Sequence, residues 1–531
     1  MTAMPETTSA RRPPHGRPAL TFGIGLVVAF VVLLRIGPKQ GFYLDEWDYL
    51  TARTAWSWSD LLEGHNEHWS TLPILVYRAW YRLFGLDSYL PYRALSVTAH
   101  LAAATAMRLL LRRMGLGPWM ASAIVLPWIL FGSGWQDIVW GFQAAWSAAL
   151  ALCVTQLLLA DHDGPRSTRD ATGIAAGIAA LMSAGIAIPV TAAVGLALLL
   201  RRGWRVAALH VLPLALVYGV WSRSYGDTSL LDPVPDGDVL SFLWSALSAS
   251  VSSFSWVPGV GVVIAVSCVV VLVIRFRDRD WSQRRDELAI PVGLALGAVG
   301  YLYVVASGRA FFGTAYARSS RYQHVVMLLL LPLLGAAVRA ATDWARSASV
   351  RQRRGVLALV LGGLWIGVPG NVSEFSADDP AHLLQRGQLE RVEALAAAVQ
   401  GRADLPADGQ PLTSAPRLTV GWLREATHER ILTPRATASP RIARLLAQNL
   451  ELMLVEDDVK RARCNLLSAP VELDLAPGDR VSFEGTVLAD VTGSNGSHRS
   501  VFNPAYGDTL HATAAVHVVL RPLYSGSRLC R

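Results

Sequence analysis

Long runs of apolar residues without charge are the feature that most constrains how this chain can fold. Several of them extend over about 17–25 residues, enough to cross about 30 Å of hydrocarbon as an α-helix. The composition agrees, because 52% of the 531 residues are hydrophobic, only 17% are charged, and the mean hydropathy is +0.34. A soluble globular protein has a smaller apolar share and a larger charged share. The sequence therefore predicts a polytopic α-helical membrane protein.

We predict about eleven transmembrane helices, of which the first is uncleaved because no small-x-small cleavage site follows it. The stretch 171–200 is divided into two spans because SAGIAIP combines glycine and proline. One long tilted helix is the alternative there, and it would invert the later topology. The predicted spans are residues 19–36, 88–111, 118–133, 138–160, 171–183, 187–200, 204–222, 257–276, 288–306, 321–340 and 354–370.

The basic charge follows the topology of these spans. The formal net charge is +8, and arginines concentrate in the segments on the side of the N-terminus, whereas the turns 134–137 and 184–186 contain none. This is the positive-inside pattern, so the charge indicates orientation and not a nucleic-acid partner. We expect a multi-pass protein of the plasma (inner) membrane with a cytoplasmic N-terminus. The segments 37–87, 223–256, 307–320 and everything after Pro369 are then external.

Three regions are expected along the chain. Residues 1–18 form a disordered cytoplasmic tail, residues 19–370 form the transmembrane domain with the external loop 37–87, and residues 371–531 form a small external α/β domain. In that last domain, periodicity predicts helices at 380–400 and 438–455, and strands at 471–475, 479–491 and 513–523. Cys464 and Cys530 lie in it, where an oxidising compartment would allow a disulfide if the fold brings them together.

Three carboxylates stand directly after the first span, in GFYLDEWDYL. On a helix beginning near Leu44, Asp45 and Asp48 would share one face, and Glu46 would turn away from it. Like charges this close, partly removed from water, raise the pKa of one another and favour a general base for an acceptor hydroxyl. The alternative is that they only favour a helix N-terminus, where negative charge is stabilising.

Two further polar groups belong to the predicted outer face. In HNEHW, His65, Glu67 and His68 could contact sugar hydroxyls or, for the histidines, bind a divalent metal with an aspartate of the first cluster; an interfacial cap is the alternative. In GWQDIVWGFQ, Gln136 and Asp137 are expected to face the outer medium and to add polar contacts to the same cavity.

Arginines on the outer side run against the topology rule. Arg309, Arg318 and Arg321 lie in RAFFGTAYARSSRYQH, between the ninth and tenth predicted spans. A lipid-borne phosphate at the interface is a natural bidentate partner for a guanidinium. The alternative is that these side chains snorkel to lipid headgroups.

Together these features resemble the GT-C superfamily of integral-membrane glycosyltransferases that use polyprenyl-phosphate sugars. The similar parts are the uncleaved first span, Asp45-Glu46 at the start of a large external loop, the many later spans and the external C-terminal domain. The resemblance implies that Asp45 or Glu46 is the base or a metal-site residue, and that Arg318 or Arg321, with Tyr322, contacts the donor phosphate. The segment DEWD is not Asp-x-Asp, so no cofactor is certain and a divalent cation (Mg²⁺ or Mn²⁺) stays open.

The expected activity is transfer of a sugar from a polyprenyl-phosphate donor to a hydroxyl of a cell-envelope glycan, lipid or protein. It would be a hexosyl- or pentosyltransferase, inverting if one carboxylate acts directly. Three alternatives are a transporter or flippase of a lipid or sugar, a polymerase or ligase of lipid-linked glycans, and a scaffold that binds glycan. The enzyme reading requires the carboxylates and the outer guanidiniums to converge in one pocket away from the cytosol.

Overall fold

The computed structural model describes residues 16–36, 41–53, 57–65, 68–226, 236–376, 388–412, 415, 417–437, 439–456, 464–502, 508–523 and 526–530. The chain divides into two compact units. One, here called the membrane unit, takes in residues up to 37, 62–73 and 92–377; the other, the C-terminal unit, takes in 38–61, 74–91 and 378–531. Residues 1–15 of the predicted tail lie outside the described residues, and the first helix begins at Gly16, earlier than the tail boundary predicted at 18.

Helices account for most of the described chain. They are α1 (Gly16–Arg35), α2 (Glu46–Thr51), α3 (Trp58–Leu62), α4 (Thr71–Phe84), α5 (Leu90–Arg113), α6 (Pro118–Ile129), α7 (Trp135–Val139), α8 (Ala144–Ala160), α9 (Thr168–Leu181), α10 (Ala187–Arg202), α11 (Trp204–Tyr225), α12 (Asp236–Ser255), α13 (Val260–Phe276), α14 (Trp281–Arg309), α15 (Ser320–Arg346), α16 (Val350–Trp365), α17 (Val368–Glu374), α18 (Gln388–Val399), α19 (Val420–His428) and α20 (Pro440–Glu451).

The fold class predicted from the sequence is confirmed: this is a polytopic α-helical membrane protein with a small C-terminal region of β-sheet. Among the described residues, seven helices are long and apolar enough to span a membrane, or eight if α12 and α13, bent by 101°, are one broken span. The count of eleven is not confirmed. A helix overlaps every predicted span, but α6, α9 and α10 have only 12, 14 and 16 residues, so they rise only about 18–24 Å.

Residues 171–200 form two helices and not one. Helix α9 ends at Leu181 and α10 begins at Ala187. At their far ends, Arg202 Nη1 lies 2.9 Å from Asp170 Oδ1, which joins the end of α10 to the start of α9. The two helices therefore run antiparallel around the turn at 182–186, and the glycine and proline of SAGIAIP mark the reversal.

Charged side chains gather at one end of the membrane unit, here called the basic end. Asp161 lies 3.0 Å from Arg113 Nε and 2.6 Å from Arg201 Nε, so it joins the end of α5 to the end of α10. Arg339 of α15 donates to the carbonyl of Met114 at 2.5 Å. These contacts place at one end four of the segments predicted to be cytoplasmic.

Helix α1 has its N-terminus at the same end. Arg108 donates to the carbonyl of Pro18 at 3.5 Å, near the start of α1. At the other end of the helix, Arg93 donates to the carbonyls of Leu34 and Ile36, both at 3.1 Å. The polypeptide of α1 therefore runs from the basic end to the opposite end, here called the distal end.

The distal end collects segments that are far apart in sequence. The amide of Leu72 donates to the carbonyl of Met182 at 3.2 Å, which ties the segment 62–73 to the turn between α9 and α10. In that turn, a Cβ at Gly185 would lie 2.6 Å from Nδ1 of His68, so only glycine leaves room for the ring. Because these contacts lie away from the basic end, the structure groups several predicted outer segments together.

Small residues let α10 and α14 approach each other closely. A Cβ at Gly297 would lie 2.5 Å from Cβ of Ala193, and one at Gly293 would lie 3.0 Å from both the carbonyl oxygen of Ala193 and Cβ of Ala197. Between membrane helices, where lipid competes with any apolar side chain, such close backbone packing is a main source of association.

The C-terminal unit contains two antiparallel sheets. The strands are β1 (Leu452–Val455), β2 (Cys464–Leu466), β3 (Val471–Leu475), β4 (Arg480–Glu484), β5 (Val487–Gly493), β6 (Gly496–Phe502), β7 (Thr509–Ala512), β8 (Val516–Pro522) and β9 (Arg528–Cys530). One sheet has the order β1-β7-β4-β9-β2 and the other β3-β8-β5-β6, and their apolar faces share one core. The strands predicted at 471–475, 479–491 and 513–523 correspond to β3, to β4 with β5, and to β8. The helix predicted at 438–455 ends at Glu451, where the buried run LMLV becomes β1.

The first loop is not a single part of the transmembrane domain, as its predicted boundaries 37–87 implied. Residues 38–61 and 74–91 belong to the C-terminal unit, and only 62–73 belong to the membrane unit. Within the C-terminal unit, the rings of Trp47 and Trp422 meet at 6.2 Å. Asp60 joins the two loop portions, because it pairs with Arg53 at 3.3 Å and with Arg78.

A disulfide joins Cys464 and Cys530, which face each other across the paired strands β2 and β9. The bond closes a sequence separation of 66 residues. A loop of this length corresponds to roughly 4 kcal/mol in the chain-entropy description of disulfide stabilisation.

Replacing both cysteines by serine, Cys464→Ser with Cys530→Ser, should lower the free energy of unfolding of the C-terminal unit by about 2–4 kcal/mol. Thermal unfolding of the full chain in detergent measures the effect. A reductant should lower the midpoint of the wild type and leave that of the double variant unchanged. Equal sensitivity of both proteins to the reductant would contradict the assignment.

Candidate functional site

Asp45 stands at the start of α2 in a strained stretch of backbone. It occupies the N-cap position, without capping the helix by its side chain, and is half-buried. The residue before it, Leu44, has φ of +44°. Residues other than glycine rarely take this conformation, and strain of this kind is often found at functional sites, where surrounding packing enforces it.

Glu46 is fully buried, and its carboxylate is held by three donors. It accepts hydrogen bonds from the hydroxyl of Tyr77 at 2.7 Å, the hydroxyl of Tyr89 at 3.2 Å and the amide of Tyr43 at 3.3 Å. A carboxylate held in this way fixes the loop around it and has no exposed edge for an acceptor. The geometry therefore favours Asp45 over Glu46 as the base. The burial of Glu46 gives that residue a positioning role.

Asp48 is buried beside Asp45 in the same unit. Burial, and secondly the charge of Asp45, raise the pKa of Asp48 to about 8, although Arg417 and Arg53 act in the opposite direction. Arg417 Nε lies 4.0 Å from Oδ2 of Asp48, and Oδ1 has no hydrogen-bond partner among the described residues. Near neutral pH Asp48 therefore keeps its proton. The carboxylate of Asp45 can then accept a proton without a second negative charge beside it.

In the membrane unit, Arg321 lies in a cage of tyrosines at the distal end. Its guanidinium carbon is 5.3 Å from the ring centroid of Tyr322 and 5.7 Å from that of Tyr316, whose hydroxyl also accepts from it. Its Nε has no hydrogen-bond partner in the described part of the chain. Arg318 is exposed, and its Nε lies 3.4 Å from the hydroxyl of Ser245. Of the two predicted phosphate ligands, Arg321 is the more buried and the one surrounded by aromatic rings.

The HNEHW segment reaches the same cage through aromatic rings. His68 contacts Trp146 at 6.3 Å between centroids, Trp146 contacts Tyr301 at 6.3 Å, and Tyr301 contacts Tyr322 at 6.4 Å. His65 packs on Phe142 at 5.8 Å. Glu67 lies outside the described residues. The structure therefore brings His65, His68, Arg321 and Tyr322 to one region of the membrane unit.

The prediction that Asp137 faces the outer medium is wrong, because its side chain is fully buried in the unit. Its Oδ2 lies 3.2 Å from Nδ1 of His324, a distance typical of an ion pair but not aligned as a hydrogen bond. Gln136 is half-buried, and its backbone amide donates to the hydroxyl of Ser320 at 3.1 Å. The short helix α7 turns Asp137 inward and leaves Gln136 half-exposed. The sequence of the turn did not indicate which of the two would be buried.

Asp137, His324 and His100 form a buried polar chain. His324 Nε2 lies 3.0 Å from His100 Nδ1, and His100 Nε2 lies 3.1 Å from the carbonyl oxygen of Ile129. A carbonyl only accepts, so His100 Nε2 carries a hydrogen. If both rings are neutral, His324 Nε2 then donates to His100 and its Nδ1 presents a lone pair to Asp137. A protonated Asp137 would donate to that lone pair, whereas the positive charge of Arg321 acts in favour of the ionised carboxylate.

The two predicted clusters belong to different units. Asp45, Glu46 and Asp48 lie in the C-terminal unit, and Arg318, Arg321, Tyr322, His65, His68, Gln136 and Asp137 lie in the membrane unit. Their convergence stays a prediction. A divalent cation also stays a prediction: in the described residues, the one group of three candidate ligands is Cys464, Glu484 and Cys530, and its two sulfurs are bonded to each other.

Sequence reasoning missed several members of the site. Tyr301 and Tyr316, which complete the cage of Arg321, are ordinary aromatic residues near a membrane interface. His324 follows Arg321 by three residues, a helical spacing that could have drawn attention to it. His100 is an isolated polar residue in an apolar helix, for which helix-to-helix hydrogen bonding was the expected role, and its contact with His324 is of that kind.

Replacing Asp48 by asparagine should stabilise the protein at high pH. The folded carboxyl keeps its proton up to a pH of about 8 and the unfolded one loses it near 4, so this group makes the free energy of unfolding fall as pH rises between them. Asp48→Asn should raise that free energy by roughly 1–3 kcal/mol near pH 8.5 and change it little near pH 4. Thermal unfolding at both pH values measures it, with exposed Glu472→Gln as the control. A gain that is the same at both pH values would contradict the raised pKa.

Asp137→Asn should be tolerated, whereas Asp137→Ala should not. The asparagine amide is neutral and can donate to Nδ1 of His324, as a protonated carboxyl would. We expect a loss within about 1 kcal/mol for asparagine and about 2–3 kcal/mol for alanine, which leaves buried groups unpartnered. Thermal unfolding in detergent compares the two variants, and equal losses would show that His324 does not need a donor at this position.

Comparison with known proteins gives a similarity of structure alone. No family model matches the chain, and no curated protein matches it. ArnT from Cupriavidus metallidurans in the apo state is similar at 15% identity, covering 82% of this chain and 92% of that one, with a TM-score of 0.44. ArnT from the same organism bound to undecaprenyl phosphate is similar at 15% identity, covering 84% and 97%, with a TM-score of 0.46. These similarities assign a role to no residue of this chain.

Proposed function

We propose that this chain is a membrane-bound glycosyltransferase that moves a sugar from a polyprenyl-phosphate donor to an acceptor hydroxyl. The acceptor would be a cell-envelope glycan, lipid or protein at the outer face of the plasma (inner) membrane. The orientation follows from the basic end, which by the positive-inside rule is cytoplasmic and leaves the distal end outside. The C-terminal unit is external in this proposal.

The observation that carries the proposal is the cage of Arg321. The guanidinium lies close enough to Asp137 for their charges to interact, and its ring contacts keep it oriented. Its Nε–H is buried and has no hydrogen-bond partner among the described residues, so an anion that enters the cage would satisfy it. A phosphate on a lipid at the interface supplies that anion, and the guanidinium would stabilise the charge that develops as the phosphate leaves.

The reaction is a single displacement at the anomeric carbon. The acceptor oxygen forms a bond to that carbon, the bond to the phosphate oxygen breaks, and the phosphate leaves with the electron pair. Asp45 takes the proton of the acceptor hydroxyl, and Glu46 holds the loop that carries it. Asp48, protonated near neutral pH, keeps the pair from carrying two charges. One direct displacement inverts the configuration, for a hexosyl or a pentosyl donor.

Further residues would bind substrate. His68 is linked to the tyrosine cage through Trp146 and Tyr301, and His65 is paired with His68 by backbone hydrogen bonds. Gln136 precedes Asp137 of the buried chain, and its backbone is bonded to Ser320. A divalent cation, Mg²⁺ or Mn²⁺, stays an optional part of the proposal. Membrane lipids complete the set of expected partners, and nucleic acid is not among them.

A transporter of a lipid or sugar is the second candidate. The buried chain of Asp137, His324 and His100 favours it, because ionisable groups inside a membrane unit are common in proton-coupled transport. A polymerase or ligase of lipid-linked glycans would use the same outer guanidinium without a leading Asp-Glu pair.

The variants Asp45→Asn and Arg321→Ala should each lose transfer activity. We expect a fall of about 10²–10⁴-fold for the base and about 10²–10³-fold for the guanidinium. The assay measures radiolabelled sugar transferred from undecaprenyl-phosphate donors, each carrying one hexose or pentose, in membranes that contain the full chain. Exposed Arg277→Ala and Asp278→Asn at the basic end are the matched controls and should keep full activity.

Full transfer by both site variants would contradict the site assignment. A wild type that transfers none of these sugars but moves the labelled lipid across vesicles would favour the transporter. Product anomers read by NMR decide the stereochemistry, and retention would contradict the single displacement.

A further inference from the structure

A groove on the surface of the membrane unit lies between α1, α6 and α16. Its volume is about 400 Å³, and its lining is mainly apolar, with Phe22 of α1, Leu126 of α6 and both Leu361 and Trp365 of α16 among its walls. The three helices belong to the same unit, and most residues of α1 and α16 are not covered by the rest of the chain. The groove is therefore open to lipid from the side.

The groove begins at the basic end and extends to the depth of one leaflet. Trp119 lines it from the first turn of α6 and is 56% exposed, which is typical of a tryptophan at a membrane–water interface. Helix α16 also starts at this end, because only residues 347–349 separate it from the end of α15. Leu361 and Trp365 follow Arg354 by about 10 and 16 Å along the helix axis. The hydrocarbon of one leaflet is about 15 Å deep, so the groove suits a single lipid chain.

A guanidinium lies directly behind the wall of the groove. Arg108 of α5 is only 9% exposed, its Nε donates to the hydroxyl of Ser122 at 2.8 Å, and its guanidinium carbon lies 4.6 Å from the ring centroid of Phe22. Both of these residues line the groove. The other acceptor of Arg108 in the described chain is the carbonyl of Pro18, so no carboxylate there balances its charge, and the like charge of Arg112 acts on it. A cation so deeply placed beside hydrocarbon is costly without an anion.

Two exposed arginines flank the groove at the basic end. Arg354 shares a face of α16 with Leu361, since a separation of seven residues brings side chains to one side of a helix. Arg17 precedes Thr21 of the groove by one turn of α1. Both arginines are exposed, and neither forms an ion pair with a described residue. Helical side chains lean toward the N-terminus, which is the basic end for α1 and α16, so positive charge from both and from Arg108 collects above an apolar groove.

We propose that the groove binds a phospholipid with an anionic headgroup, from the leaflet at the basic end. One acyl chain occupies the apolar part, and the phosphate lies between Arg17 and Arg354, where it balances the charge of Arg108. Basic pockets between membrane helices on the cytoplasmic side are typical sites for anionic headgroups. The cage of Arg321 is at the distal end, so this lipid is not the proposed sugar donor. The lipid site does not rest on the proposed function.

Native mass spectrometry of the full chain in detergent tests the headgroup. The probes are phosphatidylglycerol and phosphatidylethanolamine with identical acyl chains, and the anionic lipid should bind the wild type more tightly by about fivefold or more. Arg354→Ala and Arg108→Gln should each weaken phosphatidylglycerol by about fivefold and leave phosphatidylethanolamine within about twofold. Arg353→Ala removes an exposed arginine from a different face of α16 and is the matched control, for which both affinities should stay within about twofold.

The acyl chain is tested by filling the groove. Ala123→Trp places a large ring among its lining residues and should weaken both lipids by about tenfold, because the chain loses its place against the helices. Leu359→Trp, exposed on the opposite side of α16, is the control and should leave both affinities within about twofold. Phosphatidylglycerol with a diazirine at the end of one acyl chain then locates the site, since its cross-links should fall on peptides of α1, α6 and α16.

Four results would overturn the proposal. They are equal affinity for the two phospholipids, equal binding by wild type and Ala123→Trp, cross-links confined to other helices, and tighter binding of undecaprenyl phosphate than of phosphatidylglycerol at this groove. The last result would assign the groove to the donor lipid. Should Arg108→Gln fail to fold, Arg354→Ala and Ala123→Trp decide with their two controls.

Discussion

Ion pairs at the basic end are the interaction on which the arrangement of the membrane unit depends. A charge in hydrocarbon is costly, so arginines at helix ends are retained where an aspartate or a carbonyl meets them. Asp161 binds arginines of two other helices and Asp170 binds one, and these pairs fix which helix ends lie together. Because a helix has two ends, this also decides which loops meet at the distal end. The cage of Arg321 and the segment with His65 and His68 are neighbours for that reason.

Much of the fold could be predicted because the signals are local. Apolar runs located a helix at every predicted span, and alternation located strands such as β3 and β8. The number of spans could not be predicted as safely, because composition does not show whether a short apolar helix such as α6 crosses the bilayer or stops within it. The break between α12 and α13 falls at Pro258 and Gly259, which interrupt a helix, but the bend of 101° there depends on packing, and no helix was predicted over 236–255.

The candidate site divides in the same way. The pairing of Arg321 with Tyr322 is a neighbour relation in the chain and was predicted as such. The role of Glu46 depends on Tyr77 and Tyr89, which lie 31 and 43 positions further along the chain, so its burial could not be read from GFYLDEWDYL. Asp137 is a similar case, since a polar turn gives no sign of which side chain turns inward. Asp45 and Asp48 were expected to influence one another, and the charge of Asp45 does act on Asp48.

Because the first loop is divided between the two units, the C-terminal unit cannot be made from the C-terminal residues alone. The polypeptide passes from one unit to the other near residues 37, 61, 73, 91 and 377, so neither unit is one continuous stretch of the sequence. Residues 388–530 on their own would lack the loop portions whose Trp47 covers Trp422 and whose Asp48 faces Arg417. They would therefore be an incomplete globule, and during synthesis the loop portions must wait for residues made more than three hundred positions later before they can pack in this unit.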